Sequence, residues 1–208
     1  MLQSPDRRRS RRVVVALALV ALGVGGLLVG CDNDNTAPRG LPFGQESLPA
    51  PVPASPGSAV ADAPRQLTVA GRSAPVDAVK TRPDGALVPP TDVRRVAWWV
   101  DSGVPGSGRG TVVITGHIND VRQGVGFASS FVHLKIGDRV MLAGERTEWT
   151  YRVTAVRSYD KRDQLPVGEL NRLDGPERLA LVTCGGAFIG PPFGYQDNDI
   201  AWADRVPG

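Results

Sequence analysis

From Gln66 onward the apolar residues fall into short runs, each closed by glycine, proline or a charged turn. Leu67-Thr68-Val69 and Val76-Asp77-Ala78-Val79 alternate apolar with polar or small residues. Trp98-Trp99-Val100, Arg139-Val140-Met141-Leu142 and residues 149–156 continue the series, and residues 178–183 and 199–203 complete it. No run has the spacing of a long amphipathic helix, and no internal repeat is present. Many short strands separated by turns predict an all-β barrel or sandwich. One short helix is expected at Ser129-Ser130-Phe131-Val132-His133-Leu134, with a serine near its start.

Two runs end in reactive side chains. Leu179-Ala180-Leu181-Val182-Thr183-Cys184 reads as a buried strand, and Gly185-Gly186 is expected to stop it, leaving Cys184 at a strand end that can face a cleft. Thr111-Val112-Val113-Ile114-Thr115-Gly116-His117 has the same form and ends in Gly-His. Two strands of similar length can bring a thiol and an imidazole to one edge of a sheet. The thiolate is the nucleophilic form of cysteine, and an adjacent imidazole generates it at neutral pH. A free cysteine is more often a small buried hydrophobe, so Cys184 taken alone says little. One Cys and two His are too few for the usual four ligands of structural zinc, and no metal or cofactor is expected. His133 reads as a surface or partly buried helix residue beside Phe131 and Leu134.

The order and flanks of these motifs resemble the sortases, in particular class F of actinobacteria. Thr115-Gly116-His117 and Leu181-Val182-Thr183-Cys184-Gly185-Gly186 carry the resemblance. Ala74-Pro75-Val76, residues 84–90, Val96-Ala97-Trp98-Trp99 and Leu134-Lys135-Ile136-Gly137-Asp138-Arg139-Val140 extend it over about residues 66–206. It implies an eight-stranded β-barrel with one or two short helices. It also implies a cysteine transpeptidase that cleaves a Leu-Pro-x-Thr-Gly-like sorting signal through a Cys184 thioester, with His117 moving the protons. The implied partners are proteins bearing C-terminal sorting signals and an amine acceptor on peptidoglycan precursor or pilin. Thr183 is expected to line the substrate site.

The chain departs from that family in Tyr195-Gln196-Asp197-Asn198, where class F commonly has Tyr-Arg-Asp-Asn. Gln196 stands at the expected arginine, which positions substrate and donates to its carbonyl. An amide donates a hydrogen bond but has neither the charge nor the planar fork of guanidinium. Losing one charge-assisted donor at a developing oxyanion costs roughly 10²–10³ in rate. Arg205 lies nine residues on, at the far end and on the opposite face by strand alternation, whereas Arg122 sits in a loop that can approach the cleft. A weakened sortase that binds sorting signals or cell wall without turnover is therefore the alternative function. An L,D-transpeptidase lacks support, because Val182 and Thr183 precede Cys184 in place of a Ser-His-Gly-Cys type motif.

The amino-terminal third addresses the chain. Arg7, Arg8, Arg9, Arg11 and Arg12 precede an apolar and glycine-only stretch over residues 13–30. That length lies between a short membrane span and a long signal segment, and the arginines keep the N-terminus in the cytoplasm. Leu28-Val29-Gly30-Cys31 also resembles a lipobox, in which Cys31 would be lipidated after cleavage. Residues 1–31 thus read as a membrane anchor or a lipoprotein signal, and either places the domain outside the cell. Cys31, at the membrane boundary, is not expected to pair with Cys184. Residues 32–65, rich in Pro, Ala, Ser, Asp and Asn, read as a flexible linker, and 66–208 as the catalytic domain. The net charge is +3. Without the five arginines the remainder is slightly acidic, which gives no nucleic-acid footprint.

Overall fold

Eight strands close into a barrel in the computed structural model, which describes residues 50–56, 62–163, 165–191 and 194–208. The strands in chain order are β1 (Val52–Pro53), β2 (Gln66–Val69), β3 (Arg72–Lys80), β4 (Val96–Trp99), β5 (Thr111–Thr115), β6 (Asn119–Asp120), β7 (Gly124–Val125), β8 (Arg139–Ala143), β9 (Glu148–Asp160), β10 (Arg178–Gly190) and β11 (Gly194–Arg205). The barrel order is β3-β2-β8-β9-β11-β10-β5-β4, and pairing of β4 with β3 closes it. Closure leaves none of these eight strands as a free edge, which answers the aggregation hazard of an open sheet. A 3₁₀ helix (Phe127–His133) and the one-turn α1 (Val167–Leu170) are the helices among the described residues.

Side-chain alternation divides the core into two. Leu67, Val69, Trp98, Val112, Ile114, Phe131, Tyr151, Leu179 and Leu181 point into the barrel. Val113, Ala180, Ile200 and Trp202 point outward and are covered by Trp99, Tyr159, Leu165, Leu170 and Val182. All five residues of β5 are buried. That explains its unbroken Thr-Val-Val-Ile-Thr: a strand covered on both faces is apolar or β-branched throughout. α1 contributes to the outer cover, and its Glu169 carbonyl accepts from Thr111 Oγ1 at 2.7 Å.

The barrel's own contacts begin before Gln66. Val52 and Pro53 pair with Lys80 and Val79, Ala63 packs on the interior cluster, and Asp62 accepts the Glu145 N–H at 2.6 Å. Short stretches within 32–65, read as linker, thus pack on the domain because backbone pairing and one carboxylate hold them. Residues 1–49, including the expected anchor and Cys31, lie outside the described residues. Among the described residues no helix is long and apolar enough to cross a membrane.

Candidate active site

The site follows from one register. β5 and β10 run parallel, and their last paired residues are Thr115 and Val182; Gly116 N–H then donates to the Val182 carbonyl at 3.2 Å. Cys184 stands two residues further along β10, and His117 two residues past Thr115, just beyond the end of β5. Two residues is one period of alternation, so Cys184 shares the outward face of Ala180 and Val182, and His117 leaves the end of the neighbouring strand. Asn198, opposite Cys184 on β11, and Gln196, two residues before it, share that face.

The corner beneath His117 is tightly built. A Cβ on Gly116 would come within 2.7 Å of the Ala128 side chain, so only glycine lets the 3₁₀ helix press against this strand end. Thr183 Oγ1 donates to the Gly116 carbonyl at 2.9 Å, and Thr183 is 2 % exposed. Thr183, expected to line the substrate site, is turned inward in this structure. A residue adjacent to an outward Cys184 must point inward, and its hydroxyl fastens β10 to the His117 corner instead. On the other side, Asn119 Nδ2 donates to Tyr195 Oη at 2.7 Å, tying the loop after His117 to β11.

β10 does not stop at Gly185-Gly186. It continues to Gly190 with shifts in register beyond Gly185. The glycines leave room for β11: a Cβ on Gly185 would displace the Asp199 carboxylate, and Gly186 has φ +71, which favours glycine, with the Asp197 carboxylate over it. Cys184 thus lies within a strand, at the point where regular pairing gives way to a bulge. Bulges of this kind re-aim side chains beside functional sites.

Cys184 is a half-buried free thiol. Burial pushes the His117 imidazole below its ordinary value, against a smaller upward pull from Asp120. His117 is therefore held toward its neutral form, and its Nε2 is buried with no hydrogen-bond partner among the described residues. A neutral imidazole can accept a proton, which is what activation of a thiol requires.

Gln196 does not reach toward the thiol. Its Nε2 donates to Asp160 Oδ2 at 3.2 Å, and Arg162 Nε donates to the same carboxylate at 2.9 Å. Arg162 holds the Asp160 carboxyl well below the usual range. The cation that approaches sulfur is Lys161, whose Nζ lies 3.5 Å from Cys184 Sγ; nothing in the linear sequence distinguishes it from its charged neighbours. Arg122 is exposed, in a turn where its N–H meets Asp120 Oδ1 at 2.9 Å. Arg205 lies at the other end of the barrel, 3.7 Å from Glu177. His133 is exposed on the 3₁₀ helix. Among the described residues no three His, Cys, Asp or Glu side chains form a metal-binding group.

With that geometry in place, a family profile described as "Sortase domain" matches residues 72–206. No curated protein matches the chain significantly. Among solved structures, a pilus-related sortase C of Group B Streptococcus superposes with TM-score 0.56 at 15% identity, covering 80% of this chain and 78% of that one. Sortase C-1 of Actinomyces oris gives 0.53 at 18% identity, covering 69% and 73%. Sortase A of Corynebacterium diphtheriae gives 0.52 at 16% identity, covering 69% and 60%. At these identities the structural likenesses speak for the fold.

Proposed function

Because the chain belongs to the sortase family, we propose that it is a class F cysteine transpeptidase working outside the cell membrane on Leu-Pro-x-Thr-Gly-like sorting signals. The observation that supports this reading is the parallel β5–β10 register, which pairs Thr115 with Val182; His117 and Cys184 each follow two residues later in the chain. The class rests on the motifs around those residues and on Tyr195-Gln196-Asp197-Asn198. The location rests on Arg7–Arg12 and the apolar stretch 13–30, with Cys31 as a lipidation site if that stretch is a cleaved signal.

In the first half-reaction the Cys184 thiol gives its proton to His117 and its sulfur attacks the scissile carbonyl carbon. A C–S bond forms and the carbonyl π pair moves onto oxygen. Collapse restores the carbonyl and breaks the C–N bond; the departing nitrogen takes the proton held by His117. In the second half-reaction an amine of a peptidoglycan precursor or pilin attacks the thioester. The new C–N bond forms, sulfur leaves with the C–S electron pair, and the amine's surplus proton passes to His117 and back to sulfur. Dividing acyl transfer in this way replaces one difficult step by two easier ones.

The bond from Gln196 to Asp160 favours a second reading, a weakened sortase that holds sorting signals without turnover. Intact-mass spectrometry of the full-length chain mixed with a sorting peptide separates the two. An acyl adduct on Cys184 supports the transpeptidase, whereas binding with no adduct supports the weakened form. If Gln196→Arg raises acylation, residue 196 has the family's arginine role. Equal rates for wild type, Gln196→Arg and Gln196→Ala would remove that residue from the reaction.

A further inference from the structure

We infer that Lys161 is the cationic group of the reacting centre, placed to stabilise negative charge on Cys184 sulfur and then on the carbonyl oxygen of the acyl group that sulfur attacks. The inference rests on Cys184 being the nucleophile.

Three observations place it there. Lys161 follows β9 directly, and its N–H donates to the Gln196 carbonyl at 2.9 Å, continuing the β9–β11 ladder by one rung. Tyr159 belongs to the outward cluster, so two residues on, Lys161 shares the face of Cys184. Its Nζ then lies 3.5 Å from Cys184 Sγ. Asp160, which precedes it in the sequence, is bound by Arg162 Nε at 2.9 Å and by Gln196 Nε2 at 3.2 Å. The Gln196 amide therefore does not compete for the thiol; by binding Asp160 it helps to fix the turn that carries Lys161.

The chemistry needs such a group. Attack of a thiolate on a carbonyl moves a full negative charge from sulfur to oxygen, and both atoms lie within a bond or two of each other. A fixed cation beside sulfur stabilises the charge at both ends of that path, and preorganised charge in a partly desolvated cleft is worth more than the same charge in water. His117 does not supply it in the resting cleft, because burial keeps the imidazole toward neutrality. Lysine is a compact point charge, and with Nζ 3.5 Å from sulfur it lies close to both ends of that path without having to move. The location also explains why a glutamine is tolerated on β11: the charge arrives from the neighbouring strand end.

The test uses the full-length chain and two alkylating agents of opposite preference, anionic iodoacetate and neutral iodoacetamide, with adducts counted at Cys184 by peptide mass. A unit charge a few ångströms from sulfur, in a water-like dielectric, favours the anionic reagent by about fivefold. The iodoacetate-to-iodoacetamide ratio should fall by about that factor in Lys161→Met and Lys161→Gln and be kept in Lys161→Arg. Acylation by a sorting peptide should fall roughly 10²-fold in Lys161→Met and recover in part in Lys161→Arg. An unchanged ratio in both neutral variants, with melting as in wild type, overturns the inference. So does acylation at the wild-type rate in Lys161→Met, which would leave the transpeptidase reading intact. A ratio that falls while even the wild type forms no acyl adduct supports the lysine–thiol pair and removes the proposed function.

Discussion

The two ends of the barrel solve opposite problems with similar residues. At one end Glu177, with its side chain 1% exposed, is surrounded by donors. Gly106 and Gly108 N–H groups donate to it at 3.0 and 2.7 Å, Tyr151 Oη at 2.6 Å, and the Arg205 guanidinium lies 3.7 Å away. Burial and that carboxylate hold the Tyr151 hydroxyl far above its ordinary range, so it stays a donor. At the other end His117 Nε2 and Asp199 Oδ1 are buried without partners, and Cys184 is half-buried with only Lys161 Nζ bonded to its sulfur among the described residues. A satisfied buried carboxylate rigidifies a barrel mouth. Unmatched polar atoms cost stability, and Arg172 Nε and Arg178 Nε, near Glu177, are also buried without a hydrogen-bond partner among the described residues. What sets the Glu177 end apart is its satisfied carboxylate, and what sets the other end apart is the half-buried thiol of Cys184.

That contrast can be broken from either side. The largest effect should come from Cys184→Ala, which should abolish acyl transfer to an amine while leaving the thermal midpoint within a few degrees of wild type; persistent transfer would place the nucleophile elsewhere. Glu177→Ala should do the reverse. It strands the Tyr151 hydroxyl, two backbone N–H groups and Arg205, and should cost about 3 kcal/mol in urea unfolding with unchanged activity per folded molecule. A loss near zero would show that the carboxylate holds nothing. Thr183→Val keeps the shape but removes the bond to the Gly116 carbonyl. It should cost about 1 kcal/mol and slow acylation by loosening the His117 corner, with Thr183→Ser close to wild type; equal acylation in Thr183→Val would make that bond purely structural.

The smallest effect concerns pH. The folded state lowers the His117 value from 6.5, so the unfolded chain takes up a proton first as pH falls. The stability tied to neutral His117 is fully present above pH 6.5 and is lost as pH drops from there through the lowered folded value. Melting of wild type and His117→Ala between pH 8 and 5 should show a steeper decline for wild type, and parallel curves would mean that burial does not perturb this imidazole.

The neighbourhood of the two strands was legible because its determinants are local. Two apolar runs of similar form end in Gly-His and Thr-Cys, and β5 and β10 lie side by side in parallel. The eight-stranded barrel was legible from the spacing of short runs and from the resemblance those motifs carry. What stayed hidden depends on neighbours across the sheet. The glycines after Cys184 look like a stop, yet they clear Asp199 and Asp197 on β11, which no local pattern displays. Lys161 sits in a charged turn, and only the β9–β11–β10 register turns it toward sulfur. Glu177 in Pro176-Glu177-Arg178 looks solvated, because the donors that bury it come from residues 106, 108, 151 and 205. The inward direction of Thr183, by contrast, follows from alternation once Cys184 is taken to face out.

The central claim is that residues 117 and 184 stand side by side just beyond the last paired residues of two parallel strands. Disulfide trapping reads this directly in the full-length chain carrying His117→Cys, with Cys31→Ser to remove the competing thiol. Neighbouring strands lie about 4.8 Å apart, inside the roughly 4.4–6.8 Å Cα range that a disulfide spans. Mild oxidation should therefore join the new thiol at position 117 to Cys184 nearly completely. A variant that melts like wild type but keeps both thiols free would contradict the shared register from which the site has been derived.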